Sequence, residues 1–286
     1  MSKELIVSHP DKILFPKDNI TKLMIIEYYY KIAEKMFFLT KNHLLTMQRF
    51  PEGITKEGFW HKNCPEYFPK WIKRFNTKKE DGQAISYAVI NNLKIFAFVA
   101  NYYSITNHIS LSTSLKPSSP DRIVFDLDPS LNNDFSKVQE VALLINKILD
   151  KKNIISFVMT TGSRGLHIVV PIKQIYSNKE VKLFAEKIAL EASLELPEKI
   201  TLNIRKEKRE DKVFIDTLRN NHGQTVVAPY SLRAKDFAPV ATPILWKEAG
   251  LKELTPTKYN IYNVFEQSKK NSWENFSKTA NKLIID

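Results

Sequence analysis

The residues best equipped for chemistry are Asp126 and Asp128, in the stretch D-R-I-V-F-D-L-D-P-S over residues 121–130. Ile123, Val124 and Phe125 favour extended backbone and Pro129 ends the run, so the stretch reads as a buried strand. Side chains alternate along a strand, so Asp126 and Asp128 project from one face, one pleat apart. Two carboxylates aimed at one point repel each other, and burying either without a partner is costly. A hard divalent cation, Mg²⁺ or Mn²⁺, relieves that conflict through oxygen ligands. Taken alone, the pair is equally well explained by solvated aspartates at a strand end.

Three further clusters carry reactive residue types. In T-T-G-S-R-G-L-H, residues 160–167, Gly162 and Gly165 permit a tight turn around Ser163 whose backbone N–H groups can face an anion. Thr161 adds a hydroxyl, Arg164 a charge, and His167 opens the next strand within reach of a phosphate oxygen. The turn lacks the Gly-Lys-Ser/Thr ending of a P-loop, and by itself it is an ordinary hairpin. In F-I-D-T-L-R-N, residues 214–220, Asp216 lies between apolar neighbours and needs a partner, either a metal or Arg219. In A-P-Y-S-L-R-A, residues 228–234, Ser231 and Arg233 are expected on one strand face, suited to a phosphate or a sugar hydroxyl.

These residues need elements to position them. Thr21 is a good N-cap for a helix through about Phe38, with Leu23, Ile26, Tyr30 and Ala33 inward. Pro10 and Pro16 leave residues 1–20 irregular. A strand is expected over 44–51, then a loop over 52–82 that mixes Lys and Arg with Phe59, Trp60, Tyr67, Phe68 and Trp71. Further strands are expected at 85–89, 154–159, 166–172, 213–217 and 225–233, the last interrupted by Pro229. Helices are expected at 91–103, 136–152 and 178–193, and the tail from Leu251 reads as helix and loop. No internal repeat or low-complexity linker divides the chain. The expectation is one α/β domain over 1–286, with a basic, aromatic portion at 1–80, a catalytic core at 81–250 and a tail at 251–286.

Composition narrows the function classes. Hydrophobic content of 43% and charged content of 26% are ordinary for a globular chain of 286 residues. No apolar run approaches the roughly 20 residues of a membrane helix, and the N-terminus lacks a secretory core. Cys64 is the one cysteine, which excludes an intrachain disulfide and a cysteine-based zinc cluster and suggests a cytoplasmic protein. The net charge of +12 sits at the two ends: 15 Lys/Arg against 9 Asp/Glu over 1–80, 12 against 12 over 81–198, and 16 against 10 over 199–286. A basic surface around a locally acidic centre suits a polyanion held against a metal site.

Taken together, the motifs resemble the primase-polymerase domain of bacterial ligase D, in the archaeo-eukaryotic primase superfamily. F-D-L-D-P, T-G-S-R-G-L-H-I-V-V-P, F-I-D-T-L-R-N and V-A-P-Y-S-L-R-A occur in the family's order, preceded by S-H-P-D-K-I-L-F-P-K-D-N-I-T-K and R-F-P-E-G…G-F-W-H-K. The resemblance runs from about residue 8 to residue 247. It implies a core of packed mixed and antiparallel sheets flanked by helices. It implies that Asp126, Asp128 and Asp216 hold two divalent metals, often manganese, and that Thr161, Gly162, Ser163, Arg164 and His167 bind the incoming NTP or dNTP. Arg219, Ser231 and Arg233 assist at the nucleotide, and His108 lies near its sugar. Lys12 and Lys22 receive a 5′-phosphate at a DNA gap or end, Phe59 and Trp60 stack at the template fold, and Arg49 and Lys62 join the DNA-binding set. Ribonucleotide use, end-joining repair beside Ku and a separate ligase, and a place at the bacterial nucleoid follow from the same resemblance.

The chain departs from the family in having Thr161 for serine, Arg164 for lysine, and Ile109-Ser110 after His108 where Pro-Trp is usual. Its length leaves no room for fused ligase and nuclease domains, so a stand-alone polymerase is expected. K-E-D-G at residues 79–82 fits the adenylated-lysine motif of ligases without the later motifs. D-L-D-P-S resembles a haloacid-dehalogenase-type phosphohydrolase motif, though 120 residues precede this stretch and Ser130 replaces threonine or valine. A third alternative is a catalytically inactive module that only binds DNA ends.

Overall fold

A computed structural model describes residues 6–78, 82–130 and 134–284. The K-E-D-G motif has only its glycine among them, so its first three residues lie outside the described residues. The chain opens with a short hairpin, β1 (Ile13–Phe15) and β2 (Ile20–Thr21), and α1 (Lys22–Thr40) follows at once. Then come β3 (His43–Arg49), β4 (Phe59–His61), β5 (Arg74–Lys78), β6 (Ala84–Val89), α2 (Lys94–Asn101) and β7 (Ser104–Thr113). The second part runs β8 (Arg122–Asp128), α3 (Phe135–Lys151), β9 (Phe157–Thr160), β10 (Leu166–Pro171), α4 (Asn178–Glu195), β11 (Ile200–Thr201) and β12 (Val213–Asp216). It closes with β13 (Thr225–Val227), β14 (Thr242–Ile244), α5 (Trp246–Ala249) and α6 (Val264–Lys269).

Two six-stranded sheets organise these elements. One has the order β11-β12-β8-β10-β9-β14 and is mixed, because β11 and β12 run parallel while the other pairs are antiparallel. The other has the order β13-β7-β3-β6-β5, with β4 pairing onto β3. Helices α3 and α4 pack together and against the first sheet, and α1 and α2 pack together, with α2 against β7. The mixed and antiparallel sheets flanked by helices match the expected fold class.

Local chemistry explains the helix starts. The Thr21 side chain accepts the Met24 N–H at 3.3 Å, Asp134 accepts the Ser136 N–H at 3.0 Å, and Ser177 with Glu180 forms a capping box. In α3, Val138, Val141, Ala142, Ile145, Ile148 and Leu149 are buried at helical spacing, so apolar burial holds it to the sheet. A charged clasp then joins the two halves. Arg122, at the start of β8, donates to Asp121 Oδ1 at 2.7 Å and to the Leu39 carbonyl of α1 at 3.0 Å. His43 on β3 closes it, with Nε2 3.0 Å from Asp121 Oδ2 and Nδ1 2.8 Å from the Ser110 carbonyl.

The fold corrects several expectations. Residues 13–21 form the β1–β2 hairpin, with Pro10 before it and Pro16 opening its turn, so neither proline sits in a strand. The inward face of α1 is Ile25, Ile26, Tyr28, Tyr29, Ile32, Ala33 and Met36, whereas Tyr30 is 54% exposed. The stretch 52–82 holds strands β4 and β5, whose half-exposed edge positions give no clean alternation. The second helix begins only at Lys94, leaving Leu93 partly exposed, and β7 follows it, a strand whose polar residues hid its period. The strand expected over 225–233 ends at Val227. Among the described residues, no helix is long and apolar enough to cross a membrane.

Candidate active site and nucleic-acid face

Strand register brings the acidic residues together. His167 on β10 and Asp216 on β12 each stand directly opposite Asp126 on the intervening β8, so the three form a row across three strands on one sheet face. Asp128 lies two residues further along β8 on that face. The sheet's other face is fully buried, with Phe125 and Leu127 at 0% exposure, which leaves the polar face as the working one.

The cationic groups that touch this row are held by local structure. Arg219 sits in the single helical turn Leu218–Asn220 that follows β12. Asn220 fixes that turn: its amide donates to the Val124 carbonyl at 2.8 Å and to the Thr217 carbonyl at 2.9 Å, and accepts the Val124 N–H at 2.9 Å. Arg219 Nε thereby reaches Asp216 Oδ2 at 3.2 Å and Asp126 Oδ2 at 3.4 Å. His167 Nε2 stands 3.2 Å from Asp126 Oδ1, and Arg164 NH2 donates to Asp128 Oδ1 at 3.3 Å. Asn220 was not among the sequence candidates. Its signal was an amide four residues after a strand end, too common to single out.

The 161–165 turn positions Arg164 by glycine and threonine chemistry. Thr161 Oγ1 accepts the Gly165 N–H at 3.2 Å and donates to the Gly165 carbonyl at 3.1 Å, so this hydroxyl closes the turn. Gly162 has φ of +63°, and a Cβ there would stand 2.9 Å from Arg233 Cγ and 2.8 Å from the Val240 carbonyl carbon. At Gly165 a Cβ would come within 1.8 Å of the Leu127 carbonyl oxygen, between the two aspartates of β8. Only glycine lets the turn approach the carboxylates this closely.

The other sheet supplies the opposite wall. A cavity of about 210 Å³ is lined by Asp126, Asp128, Thr161, Ser163, Arg164, His167, Arg219 and Arg233 on one side, and by His108 of β7 with Thr225–Val227 of β13 on the other. Burial lowers the His108 imidazole well below its ordinary range, and the Arg233 and Arg219 charges lower it further, so it stays neutral. Among the described residues its buried Nε2 has no hydrogen-bond partner, and its ring packs edge-on against Trp60 with centroids 4.6 Å apart. Ser231 does not line the cavity. It is fully buried, accepts the Asn107 N–H at 2.8 Å, and so braces the loop behind Arg233. The shared strand face expected for Ser231 and Arg233 does not exist, because the chain turns after β13.

The carboxylates differ in their electrostatics. Burial pushes Asp126 up, but His167, then Arg219 and Arg233, outweigh it and hold this carboxyl below the usual range. Burial also raises Asp128 and Asp216, with the Asp126 charge adding to both. Burial, with repulsion from Asp126, therefore disfavours the charged form at two of the three acids despite the arginines beside them. An all-oxygen set of three carboxylates on adjoining strands is a donor set for Mg²⁺ or Mn²⁺, and such a cation would relieve that repulsion. As the side chains stand, arginines and His167 meet these charges. Among the described residues, no three His, Cys, Asp or Glu groups are gathered so as to hold a metal ion.

The basic and aromatic candidates form a second area. Lys22 is fully buried, and among the described residues no carboxylate stands beside it. Its ammonium donates to the Ser8 backbone carbonyl and to Ser8 Oγ at 2.8 Å, and lies over the Tyr103 ring, 4.3 Å from the centroid. Burial, reinforced by the neighbouring Lys12 charge, lowers Lys22 to about 8. Lys12 stands 5.6 Å from the same ring centroid and pairs with Glu52 at 3.2 Å. Arg49, at the end of β3, donates to the Tyr102 carbonyl at 2.7 Å and stacks 5.4 Å from the Phe59 centroid. Phe59 and Trp60 on β4 are 47% and 50% exposed, and Lys62 follows them on the surface.

Comparison with known proteins gives one consistent relationship. The family model described as LigD, primase-polymerase domain, matches residues 21–273. A multifunctional non-homologous end joining protein LigD from Mycolicibacterium smegmatis is 30% identical over 258 residues, covering 89% of this chain and 34% of that protein. A bifunctional LigD from Bacillus subtilis is 28% identical over 261 residues, covering 91% of this chain and 42% of that protein. The chain thus spans less than half the length of these curated relatives. The solved polymerase domain from Mycobacterium tuberculosis ligase D, in complex with DNA, superposes with a TM-score of 0.91 at 26% identity, covering 98% of this chain and 100% of that one.

Proposed function

The chain belongs to the LigD primase-polymerase domain family, and we propose that it is a nucleotidyltransferase that extends or fills DNA ends and gaps, preferentially with ribonucleotides, during non-homologous end joining. The observation that carries this reading is the cavity between the two sheets, where Asp126 and Asp128, with Asp216 opposite Asp126 on the neighbouring strand, face a ring of cationic side chains. Polymerisation needs that combination: carboxylates to hold divalent cations and fixed positive groups to meet triphosphate charge. Asp126, Asp128 and Asp216 would hold Mn²⁺ or Mg²⁺, which supplies activation of the primer 3′-hydroxyl and neutralisation of the triphosphate.

The chain's own residues supply the rest. Arg164, Arg233 and His167 neutralise charge on the phosphates, while Arg219 orients Asp126 and Asp216. Neutral His108 offers its unpartnered Nε2 to the nucleotide sugar, the contact from which ribonucleotide preference would come. Lys12 and Lys22 take the 5′-phosphate of the strand beyond the gap, and Phe59 and Trp60 take the template. Ku and a separate ligase are the partners this role implies, at the nucleoid in the bacterial cytoplasm.

The test is primer extension with Mn²⁺ beside a DNA-binding titration, for the wild type, Asp126→Ala and Asp216→Ala. Either substitution should lower extension at least about a hundredfold while binding stays within a few-fold, because the basic face lies elsewhere. A variant that extends at near wild-type rate overturns the assignment. A wild type that binds DNA without extending it supports a pure end-binding module, and one that releases phosphate from a monoester supports a phosphohydrolase.

A further inference from the structure

Tyr67, Phe68, Trp71, Phe98 and Tyr102 form a continuous aromatic cluster outside the cavity, and none of these rings serves the reading above. Tyr67 lies 5.5 Å from Tyr102, with planes tilted by 32°. Phe98 bridges Tyr102 at 5.0 Å, Phe68 at 4.9 Å and Trp71 at 5.4 Å between centroids. Phe68 is buried and anchors the cluster, but Tyr67 is 61% and Trp71 38% exposed. The exposed rings are held in place. Arg74 donates to the carbonyls of Pro65, Glu66 and Phe68, and the Asn91 amide donates to the Trp71 carbonyl at 3.1 Å.

Position and charge indicate the occupant. Tyr102 is joined to Phe59 through Arg49, and the next residue, Tyr103, is the platform beneath Lys12 and Lys22. The shelf therefore adjoins the 5′-phosphate pocket through the neighbouring residues Tyr102 and Tyr103. Over residues 58–78 the chain has Lys62, Lys70, Lys73, Arg74 and Lys78 against Glu66 alone, and Lys62, Lys70 and Lys73 are exposed. A protein-docking patch tends to be depleted of lysine, whereas a nucleic-acid groove combines aromatic faces with lysines along the backbone path.

We propose that Tyr67, Trp71 and Tyr102 are a nucleobase-stacking shelf for the DNA strand that bears the 5′-phosphate, receiving the first bases beyond it. The strand's identity rests on the polymerase reading. The shelf itself rests on the rings and their charge. It would hold a broken end in register while the gap before it is filled.

The test uses gapped DNA with 2-aminopurine at the first or second base of the 5′-phosphorylated strand. The wild type should quench the probe, and Tyr67→Ala with Trp71→Ala should abolish the quenching and weaken binding roughly tenfold. Tyr67→Phe with Trp71→Phe, which keeps the rings, should retain both. Lys70→Glu with Lys73→Glu leaves the packing intact and should weaken binding with a shallower salt dependence. No quenching by the wild type, or equal quenching by the double alanine variant, overturns the shelf and leaves a surface for a protein partner. Quenching only when the probe is moved to the template overturns the strand assignment. Primer extension by the wild type separates the two readings: quenching without extension defeats the polymerase and spares the shelf, and extension without quenching does the reverse.

Discussion

Raising the pH should switch off recognition of the 5′-phosphate, because Lys22 loses its proton far below the ordinary lysine range. Its ammonium meets Ser8 and the Tyr103 face, and burial, reinforced by the Lys12 charge, lowers it from 10.5 to about 8. A terminal phosphate is a dianion above about pH 6, so the ligand's charge is constant through the range that matters. If only the protonated lysine attracts it, the competent fraction falls from about 0.8 at pH 7.5 to about 0.06 at pH 9.2, roughly tenfold. The affinity ratio between gapped DNA with a 5′-phosphate and the same DNA with a 5′-hydroxyl should fall by that factor.

Fluorescence anisotropy at fixed ionic strength, from pH 7 to 9.5, measures this ratio directly. Lys22→Met should give a low, flat ratio. Lys12→Ala should lower the ratio at neutral pH yet shift its fall to higher pH, since it removes the charge that adds to the effect of burial on Lys22. Unfolding cannot mimic the result through this residue. Its folded pKa lies below its unfolded one, so between about 8 and 10.5 the unfolded chain binds more protons and Lys22 adds stability as the pH rises. A ratio that stays constant to pH 9.5 in the wild type, or falls equally in Lys22→Met, would refute the argument.

Three other outcomes are expected. Gly165→Ala drives a Cβ to 1.8 Å from the Leu127 carbonyl oxygen, so the turn must leave β8; a stability loss of about 2 kcal/mol or more is expected in urea unfolding, with extension lowered beyond it. Arg122→Ala strands the Asp121 carboxylate between the sheets and should cost about 3–5 kcal/mol at neutral pH. Burial opposes ionisation of Asp121, but Arg122 and His43 hold its pKa well below 3.8, so their stabilisation is complete above that value and lost as the pH falls through the folded one. Unfolding curves for the two proteins should therefore converge in strong acid. Trp60→Ala should raise the KM for the incoming nucleotide several-fold by freeing the His108 ring, with Trp60→Phe restoring most of it; an unchanged KM beside weakened DNA binding would confine Trp60 to the template.

The legible parts of the sequence were those in which one local rule acts alone. Thr21 caps α1 through a side chain that reaches three residues along, so that start could be read without knowing the fold; Asp134 and Ser177, which were not singled out, cap α3 and α4 by the same rule. Asp126 and Asp128 had to share a face because strand geometry allows nothing else. That Asp216 and His167 flank Asp126 is a matter of register between distant strands, which no local pattern encodes, and only the order of motifs hinted at it.

What stayed hidden follows the same logic. Ser231 and Arg233 looked like neighbours on a strand, but residues 230–233 lie in a turn braced by Asn107 and Tyr29, partners more than a hundred residues away. β7 went unread because both of its faces are buried: Ile105, Ile109 and Leu111 share one face with the buried Asn107, while Ser104 and Thr106 are buried on the other, so no apolar-in, polar-out contrast marks the strand. The aromatics at 59–71 were equally ambiguous in sequence, since Phe68 is core and Tyr67 is surface although they are adjacent. Burial on each side of a chain is decided by what folds against it. The half of the molecule proposed to face DNA, where strands are short and half-exposed, is therefore where sequence says least and the arrangement of Arg49, Tyr102 and Tyr103 matters most.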